Sequence, residues 1–337
     1  MGDVGRRAVA LSDLSGKRFA VDAYNTIYQF LSSIRQPDGT PLQDFRGNIT
    51  AHLAGIFYRN ARLLENGIRP IYVFDGKPPG FKSNVLSERS ERKLEAEAAW
   101  KAALEKGDLA NAKKFAQATS RLTPSMVEES KELLGAMGIP VVEAPSEGEA
   151  QAAQMVIEGS ADAVASQDMD CLLFGAPLLL RNLSVSGKRK LTGKSEYVDV
   201  EPEYTELASV LSGLGISRQQ LIWMGILIGT DFDEGVRGIG PKKALKLVKE
   251  CQSLEEAEGK AGAEDQLQLF AAVEHFFLNP PVEKGVEAKD GRMDADRVAH
   301  FLVDRHDFSE ERVRRTCLSA EKRMKEVGAQ TRLGQWQ

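Results

Sequence analysis

Acidic residues in this chain fall just past the ends of successive apolar segments, and that placement constrains fold and chemistry together. Short apolar runs that read as strands lie at 17–22 (KRFAVD), 70–75 (PIYVFD), 139–144 (IPVVEA), 161–166 (ADAVAS) and 177–183 (PLLLRNL). Helical patterns separate the first four, near 25–34, 48–66, 84–137 and 146–158. This alternation predicts an α/β protein with a mainly parallel central sheet and helices on its faces. Asp22 ends the first run and Asp75 the second; Glu147 and Glu149 follow the third, Asp168 and Asp170 the fourth. In a parallel sheet these six acids converge on the carboxyl edge, where ligands of such sheets bind. Asp231 follows an apolar helix predicted at 217–229.

Each acid also has an ordinary reading. Asp22 and Asp75 suit strand-end turns. Ser146 and Glu149 fit a capping box at a helix start, which leaves Glu147 without a role. Taken jointly, crowded carboxylates repel one another unless cations neutralise them. An oxygen-only ligand set favours Mg²⁺ or Mn²⁺. The histidines His52, His275, His300 and His306 show no paired spacing, which disfavours zinc. Two divalent ions about 4 Å apart can clamp the attacking and leaving oxygens of a phosphodiester and acidify a bound water. No Ser–His or Cys–His pair supports a covalent mechanism, and no GxxxxGK[ST] loop supports a P-loop NTPase.

At 337 residues the chain has room for about two domains. The apolar stretch 221–229 (LIWMGILIG) is far short of a membrane span, and no signal-peptide pattern opens the chain. Cys171, Cys251 and Cys317 are odd in number and far apart, which points to a reducing compartment, cytosol or nucleus. Net charge is −5, yet segment 77–121 carries +4, and segments 181–194 and 237–249 carry +5 each. Segregated charge of this kind steers a polyanion to one face.

One crossover is too long for a simple α/β unit. Segment 82–121 is rich in Lys, Arg, Glu and Ala, and Gly107-Asp108 breaks it into two helical pieces. With so little apolar face it is predicted to stand out from the body. Thr123-Pro124 then signals a new helix, an N-cap followed by proline at the first position. Beyond residue 205 the pattern is mainly helical, at 203–214, 217–229, 241–251, 264–277 and 309–326, with a Pro- and charge-rich loop at 278–292.

Two features suit phosphate. Lys82, Arg89 and Lys93 project from one side of a helix and could draw a phosphate toward the acids, although pairing with Glu88, Glu91 and Glu95 would make a solvated stripe. Gly238-Ile239-Gly240-Pro241-Lys242-Lys243 combines a tight turn, a helix start with open amides, and cations including Lys246. It resembles the hairpin of helix–hairpin–helix modules, which grip the DNA backbone without reading bases.

The segments AVDAYNTIYQFL, YVFDGKPPGFKS, ERSERK, APSEGEAQAA, SQDMDCLLFGAP and GTDFDEGVRGIGPKKA, in this order along nearly the whole chain, resemble the archaeal and eukaryotic flap endonucleases. The resemblance implies a PIN-like 5′-nuclease core, a helical arch and a C-terminal helical region with a helix–three-turn–helix element. The regions would be 1–98 (N-terminal nuclease region), 99–121 (rest of the arch), 122–258 (internal nuclease region), 259–329 (C-terminal helices) and 330–337 (a sliding-clamp-binding tail). It implies metal ligation by Asp22, Asp75, Glu147, Glu149, Asp168, Asp170 and Asp231 to two Mg²⁺, with Mn²⁺ as an alternative. Arch cations would be Lys82 and Arg89, and Tyr28 a base-stacking residue. DNA contacts would include Arg35, Arg59, Glu147, Gly229, Asp231, Gly238, Gly240, Lys242 and Lys243. Gly235, Val236 and Ile239 would bind K⁺ through backbone oxygens. Segment 30–50 would supply a wedge that bends the junction.

Gln330, Leu333 and Trp336 resemble the family's sliding-clamp motif, with Gln337 where a final aromatic is usual. Asp3 and Gly5 also depart from the usual family start, and the absence of a Lys-rich extension leans toward an archaeal protein. The resemblance therefore implies a monomeric Mg²⁺-dependent endodeoxyribonuclease with 5′–3′ exonuclease activity. It would act on branched DNA with a 5′ flap in Okazaki-fragment maturation and repair. Its location would be cytoplasmic and nucleoid-associated, or nuclear in a eukaryote. Competing readings are a non-catalytic junction binder recruited by the clamp, a nuclease for four-way junctions or RNA, and an aspartyl-phosphate phosphatase. The last usually wants D-x-D where this chain has Asp22-Ala23-Tyr24.

Overall fold

The structure, a computed structural model, describes residues 5–36, 38–82, 95–103, 105–108, 111, 114–115, 118–183, 187–190, 197–263 and 266–334. Its strands are β1 (Arg6–Ala8), β2 (Arg18–Asp22), β3 (Arg69–Phe74), β4 (Val141–Glu143), β5 (Ala163–Ala165), β6 (Leu178–Arg181), β7 (Gly187–Lys190), β8 (Tyr197–Val200) and β9 (Glu203–Glu206). The chain divides into two compact units. The first comprises Met1–Val9, Val73–Arg89 and Glu143–Val286; the second comprises Ala10–Tyr72, Ser90–Val142 and Glu287–Gln337.

In the first unit the strands run β1-β9-β6-β5. β5 and β6 are parallel, with Val164 opposite Leu179, and β9 pairs antiparallel with both β6 and β1. All three residues of β5 are buried, as expected of a parallel strand covered on both faces. Residues 203–206 are strand rather than the predicted start of a helix, which begins at Leu207. Both edges of Glu203–Glu206 are claimed by ladder partners, and that tertiary pairing overrides the local periodicity. β7 and β8 form a separate antiparallel ribbon that no strand prediction covered.

The helices Gly148–Ile157, Leu207–Leu214, Arg218–Ile228, Pro241–Glu250, Leu254–Ala261 and Leu267–Leu278 complete this unit. Ser217 and Gln220 form a reciprocal capping box at one of them. The fully buried Gln151 clamps the predicted loop, donating to the Glu283 carbonyl and accepting from its N–H at 2.8 Å each.

In the second unit Arg69 N–H donates to the Lys17 carbonyl and Tyr72 N–H to the Pro140 carbonyl, both at 2.9 Å. Gly55 in the helix Ala51–Glu65 is set by packing: a Cβ there would sit 2.2 Å from the Phe30 ring of the helix Ala23–Ser33. Thr123 caps the helix Pro124–Ala136 as predicted, its side chain accepting from Met126 N–H at 3.3 Å. Gly107 adopts a left-handed φ of 68°, and Asp108 accepts from Asn111 N–H, so the predicted break in the long crossover is present. The C-terminal helix Glu310–Gly334 buries Val313, Cys317 and Ala320, a helical-spaced stripe, and packs on Ala51–Glu65. It runs through the backbones of Gln330 and Leu333; Trp336 and Gln337 lie outside the described residues.

Candidate active site and DNA-contacting turn

Six of the seven predicted acids belong to the first unit. Asp75 lies one residue past β3, and its Oδ1 accepts the Gly148 N–H at 2.7 Å. Gly76 N–H donates to the Ser146 carbonyl at 2.6 Å, so the segments after β3 and β4 are stitched together. A side chain at Gly76 would clash with backbone, and one at Gly148 would displace the Asp75 carboxylate. A Cβ at Gly76 would lie 2.0 Å from the Ala144 carbonyl oxygen, and one at Gly148 would lie 2.8 Å from Asp75 Oδ1.

Glu147, buried, is the N-cap residue of Gly148–Ile157, yet its side chain makes no capping bond. The Ser146–Glu149 capping box therefore does not form. Glu149 is engaged elsewhere: its Oε1 accepts from Ser166 Oγ at 3.4 Å, and Ser166 Oγ accepts from Asp168 N–H at 3.1 Å. Asp168 Oδ1 accepts from Met169 N–H at 2.7 Å and Asp170 N–H at 3.3 Å, which fixes the rotamer of its carboxylate. Asp170 opens the short helix Asp170–Leu173.

A cluster of phenylalanines positions these segments. Phe174 follows Asp170–Leu173, Phe232 follows Asp231, and Phe81 precedes Lys82. Phe232 lies edge-on to Phe81 at 5.8 Å, Phe276 at 5.1 Å and Phe277 at 5.4 Å, and Phe174 contacts Phe277 at 4.8 Å. Edge-to-face packing of this kind adds to simple burial. Asp231 thus rides on an anchored ring.

Asp233, absent from the predicted set, organises the turn beyond it. It is 3% exposed, and accepts from Thr230 Oγ1 at 2.5 Å and Gly235 N–H at 2.9 Å. Burial pushes its carboxyl up to about 6 against those hydrogen bonds. The D-x-D spacing of Asp231 and Asp233 was its only sequence signal. Gly229 has φ 109° and Gly235 φ 67°, and a Cβ at Gly235 would meet the Ile228 and Gly229 backbone at 2.4 Å. Val236 N–H donates to the Leu227 carbonyl, and Ile239 N–H to the Val236 carbonyl.

Gly238 takes φ 83°, Gly240 is the N-cap residue, and Pro241 opens the helix Pro241–Glu250 as predicted. Ala244 and Val248 face inward, while Lys242 and Lys243 are exposed and make no ion pair among the described residues. This leaves cations and helix-start amides on one surface, an arrangement whose charge suits an anion.

In the second unit Asp22 ends β2 and caps the helix Ala23–Ser33, accepting from Asn25 N–H at 3.1 Å, and is buried. Tyr28 is half-buried on that helix. Arg35 donates to the Leu31 and Gly39 carbonyls and to Ser120 Oγ, so its guanidinium braces the loop after the helix. Arg59 is half-buried beside Arg62, and desolvation lowers its pKa. Arg89 and Lys93 lie outside the described residues, and Lys82 ends the 3₁₀ turn Gly80–Lys82. Among the described residues, no three His, Cys, Asp or Glu side chains already stand as a chelating group.

Acids past strand ends, with a glycine-punctuated, lysine-bearing helix start in the same α/β protein, are the arrangement expected of a nuclease that handles phosphodiesters. The XPG N-terminal domain family profile matches residues 2–96 and the XPG I-region profile residues 138–231. The chain is 52% identical to flap endonuclease 1 of Aeropyrum pernix, spanning 98% of this chain and 96% of that protein. It is 50% identical to flap endonuclease 1 of Thermococcus onnurineus, spanning 99% and 96%. The solved flap endonuclease-1 from Methanococcus jannaschii superposes with a TM-score of 0.75 at 40% identity, covering 96% of this chain and 98% of that one. The catalytic core of Rad2 in complex with DNA substrate superposes with a TM-score of 0.69 at 25% identity, covering 94% and 96%. The chain belongs to the flap endonuclease family, of the archaeal type, and has that family's PIN-like nuclease fold.

Proposed function

We infer that the protein is a structure-specific 5′ flap endonuclease, a hydrolase that cuts DNA phosphodiesters at the base of a 5′ flap in replication and repair. The observation that carries this reading is the set of strand-end acids held by their own backbone and neighbours: Asp75 by Gly148, Glu149 by Ser166, Asp168 by Met169 and Asp170.

The donor set fits divalent metal ions. It is all carboxylate, the hard oxygen chemistry that suits such ions, and Asp75, Glu149 and Asp168 are each held by a hydrogen bond of their own. Asp22, Asp75, Glu147, Glu149, Asp168, Asp170 and Asp231 would hold two Mg²⁺ or Mn²⁺. Ions bound there would supply Lewis-acid stabilisation of the phosphodiester and a more acidic water. The chain's own part is preorganisation, since carboxylates fixed before substrate arrives spend no energy on reorientation.

The Gly238–Lys243 turn grips a duplex arm through its phosphates, so that binding is independent of base sequence. Lys82 and Arg89 act on the flap, and the carbonyls of Gly235, Val236 and Ile239 hold K⁺. Gln330, Leu333 and Trp336 dock on a sliding clamp, and the enzyme works as a monomer on branched DNA in the cytoplasm. No helix among the described residues is long and apolar enough to cross a membrane.

Incubating 5′-labelled flap DNA with the protein and Mg²⁺ tests the reading. The native chain is expected to release the flap. Asp168→Asn, which keeps the turn, is expected to bind DNA normally and to lose at least about a hundredfold in hydrolysis, beyond the loss seen when a group merely supports a ligand. Unchanged cleavage by Asp168→Asn overturns the ligand assignment, and no cleavage by the native chain overturns the enzyme.

A further inference from the structure

Ser166 lies one residue past β5 and is 5% exposed. Its hydroxyl has one proton to give, and donates it to Glu149 Oε1 at 3.4 Å. The same oxygen accepts the Asp168 N–H at 3.1 Å. Glu149 stands in the first turn of the helix Gly148–Ile157, and Asp168 in the turn that leads into Asp170–Leu173. One small side chain therefore bonds to the carboxylate of one acidic segment and to the backbone of the next. Both bonds point the same way: the amide polarises the hydroxyl, and the hydroxyl donates to the carboxylate.

The order continues beyond Ser166. Asp168 Oδ1 accepts from the N–H groups of Met169 and Asp170, so residues 166–170 form one hydrogen-bonded turn. A glutamate carboxylate hangs on three torsions, the last of them broad, and its direction comes from whatever holds its oxygens. For Glu149 one such hold is Ser166, and through it the carboxylate is referred to the turn that carries Asp168 and Asp170.

We propose that Ser166 is a positioning residue of the divalent-metal site, which orients the Glu149 carboxylate against the Asp168–Asp170 turn and so raises the affinity of these acids for metal. The proposal rests on the reading of those acids as metal ligands. Groups that hold a ligand from behind are worth about ten- to a hundredfold in metal affinity. A purely structural Ser166 would do no more than satisfy the Asp168 amide. Its loss would then lower Tm and leave metal affinity alone.

The test uses the full chain with Mn²⁺ alone, free ion being read by electron paramagnetic resonance without DNA or hydrolysis. Native protein is expected to bind Mn²⁺, and Ser166→Ala to bind it about ten- to a hundredfold more weakly. Ser166→Thr keeps the hydroxyl and is expected to restore the affinity. In a Glu149→Gln background Ser166→Ala is expected to cost little more, since the bond it removes acts through Glu149. With flap DNA, Ser166→Ala is expected to need correspondingly more Mg²⁺ and to approach the native kcat once Mg²⁺ saturates. A Ser166→Ala protein with native Mn²⁺ affinity overturns the proposal, whatever its Tm. So does a Ser166→Thr protein that melts like the native chain yet binds as weakly as Ser166→Ala, or an equal loss with Glu149 and with Gln at that position. Native protein that binds no Mn²⁺ overturns the proposal together with the ligand assignment. A native chain that binds Mn²⁺, loses affinity in Ser166→Ala, and yet cuts no flap DNA would sink the flap endonuclease reading and leave the role of Ser166 standing.

Discussion

The Gly148 amide donates to the Asp75 carboxylate across 2.7 Å, joining the end of β3 to the start of the helix after β4. Position 148 needs glycine because a Cβ would lie 2.8 Å from Asp75 Oδ1 and 3.1 Å from the Val73 carbonyl oxygen. Gly148→Ala should therefore push the carboxylate aside while leaving the helix intact, alanine being the better helix former. Expected is a loss of cleavage of at least about tenfold, comparable to disturbing the support of a metal ligand, with Tm little changed. Turnover of flap DNA alongside thermal melting checks it. Full activity would show that Asp75 does not need this bond.

Phe232, next to Asp231 in the chain, is anchored by packing against three other rings. Phe232→Ala removes a ring that is 2% exposed and touches Phe81, Phe276 and Phe277. The expected cost is about 3–5 kcal/mol of stability, the usual range for truncating a buried phenylalanine. Chemical denaturation measures it. Phe232→Leu should recover much of the stability but less of the activity, because it fills volume without restoring the edge-to-face geometry.

Lys242 and Lys243 stand at the start of the helix Pro241–Glu250 with no acid drawing on them among the described residues. Replacing both by glutamine should weaken flap DNA binding equally for all sequences. It should also lower the slope of log affinity against log salt by about 1 for each phosphate that a lysine no longer neutralises. Binding measured across a salt series decides this; an unchanged slope would remove both lysines from the interface.

Glu258 is 1% exposed, and neither of its carboxylate oxygens has a hydrogen-bond partner among the described residues. Burial first, then the neighbouring Glu255 and Glu274, push its carboxyl up to about 7. A carboxyl raised above its unfolded value favours the folded state most when protonated, and that contribution is lost as pH rises through the folded value. Glu258→Gln should thus melt at the same temperature as the native chain near pH 5 and at a higher one near pH 8. Melting curves at the two pH values test the sign. A gap that is constant or reversed would mean the carboxylate is paired in solution.

Several features of this molecule are legible in the sequence because their causes are local. Thr123-Pro124 starts a helix wherever it stands, since the hydroxyl caps an open amide and proline has none to waste. Gly238 and Gly240-Pro241 make a turn and a helix start for equally local reasons of φ and missing N–H. The acids at strand ends were visible because strand periodicity and turn preference sit next to each other in the chain. Residues 203–206 carry a helical periodicity and yet form a strand, because the partners that make them one, near residues 6 and 179, are remote in the chain.

What the tertiary structure alone decided are the relationships between distant residues. Glu149 looked like half of a capping box, and it is Ser166, seventeen residues on, that engages it. Phe81, Phe174, Phe232, Phe276 and Phe277 come from four separate segments, and nothing in their spacing marks them as one cluster. Phe45 reads as an ordinary loop residue until Asp307, far along the chain, pins its backbone and leaves its ring in water. The linear chain carries short-range steric and hydrogen-bond preferences; burial, and with it the raised carboxyls of Asp233 and Glu258, exists only once remote segments exclude solvent together.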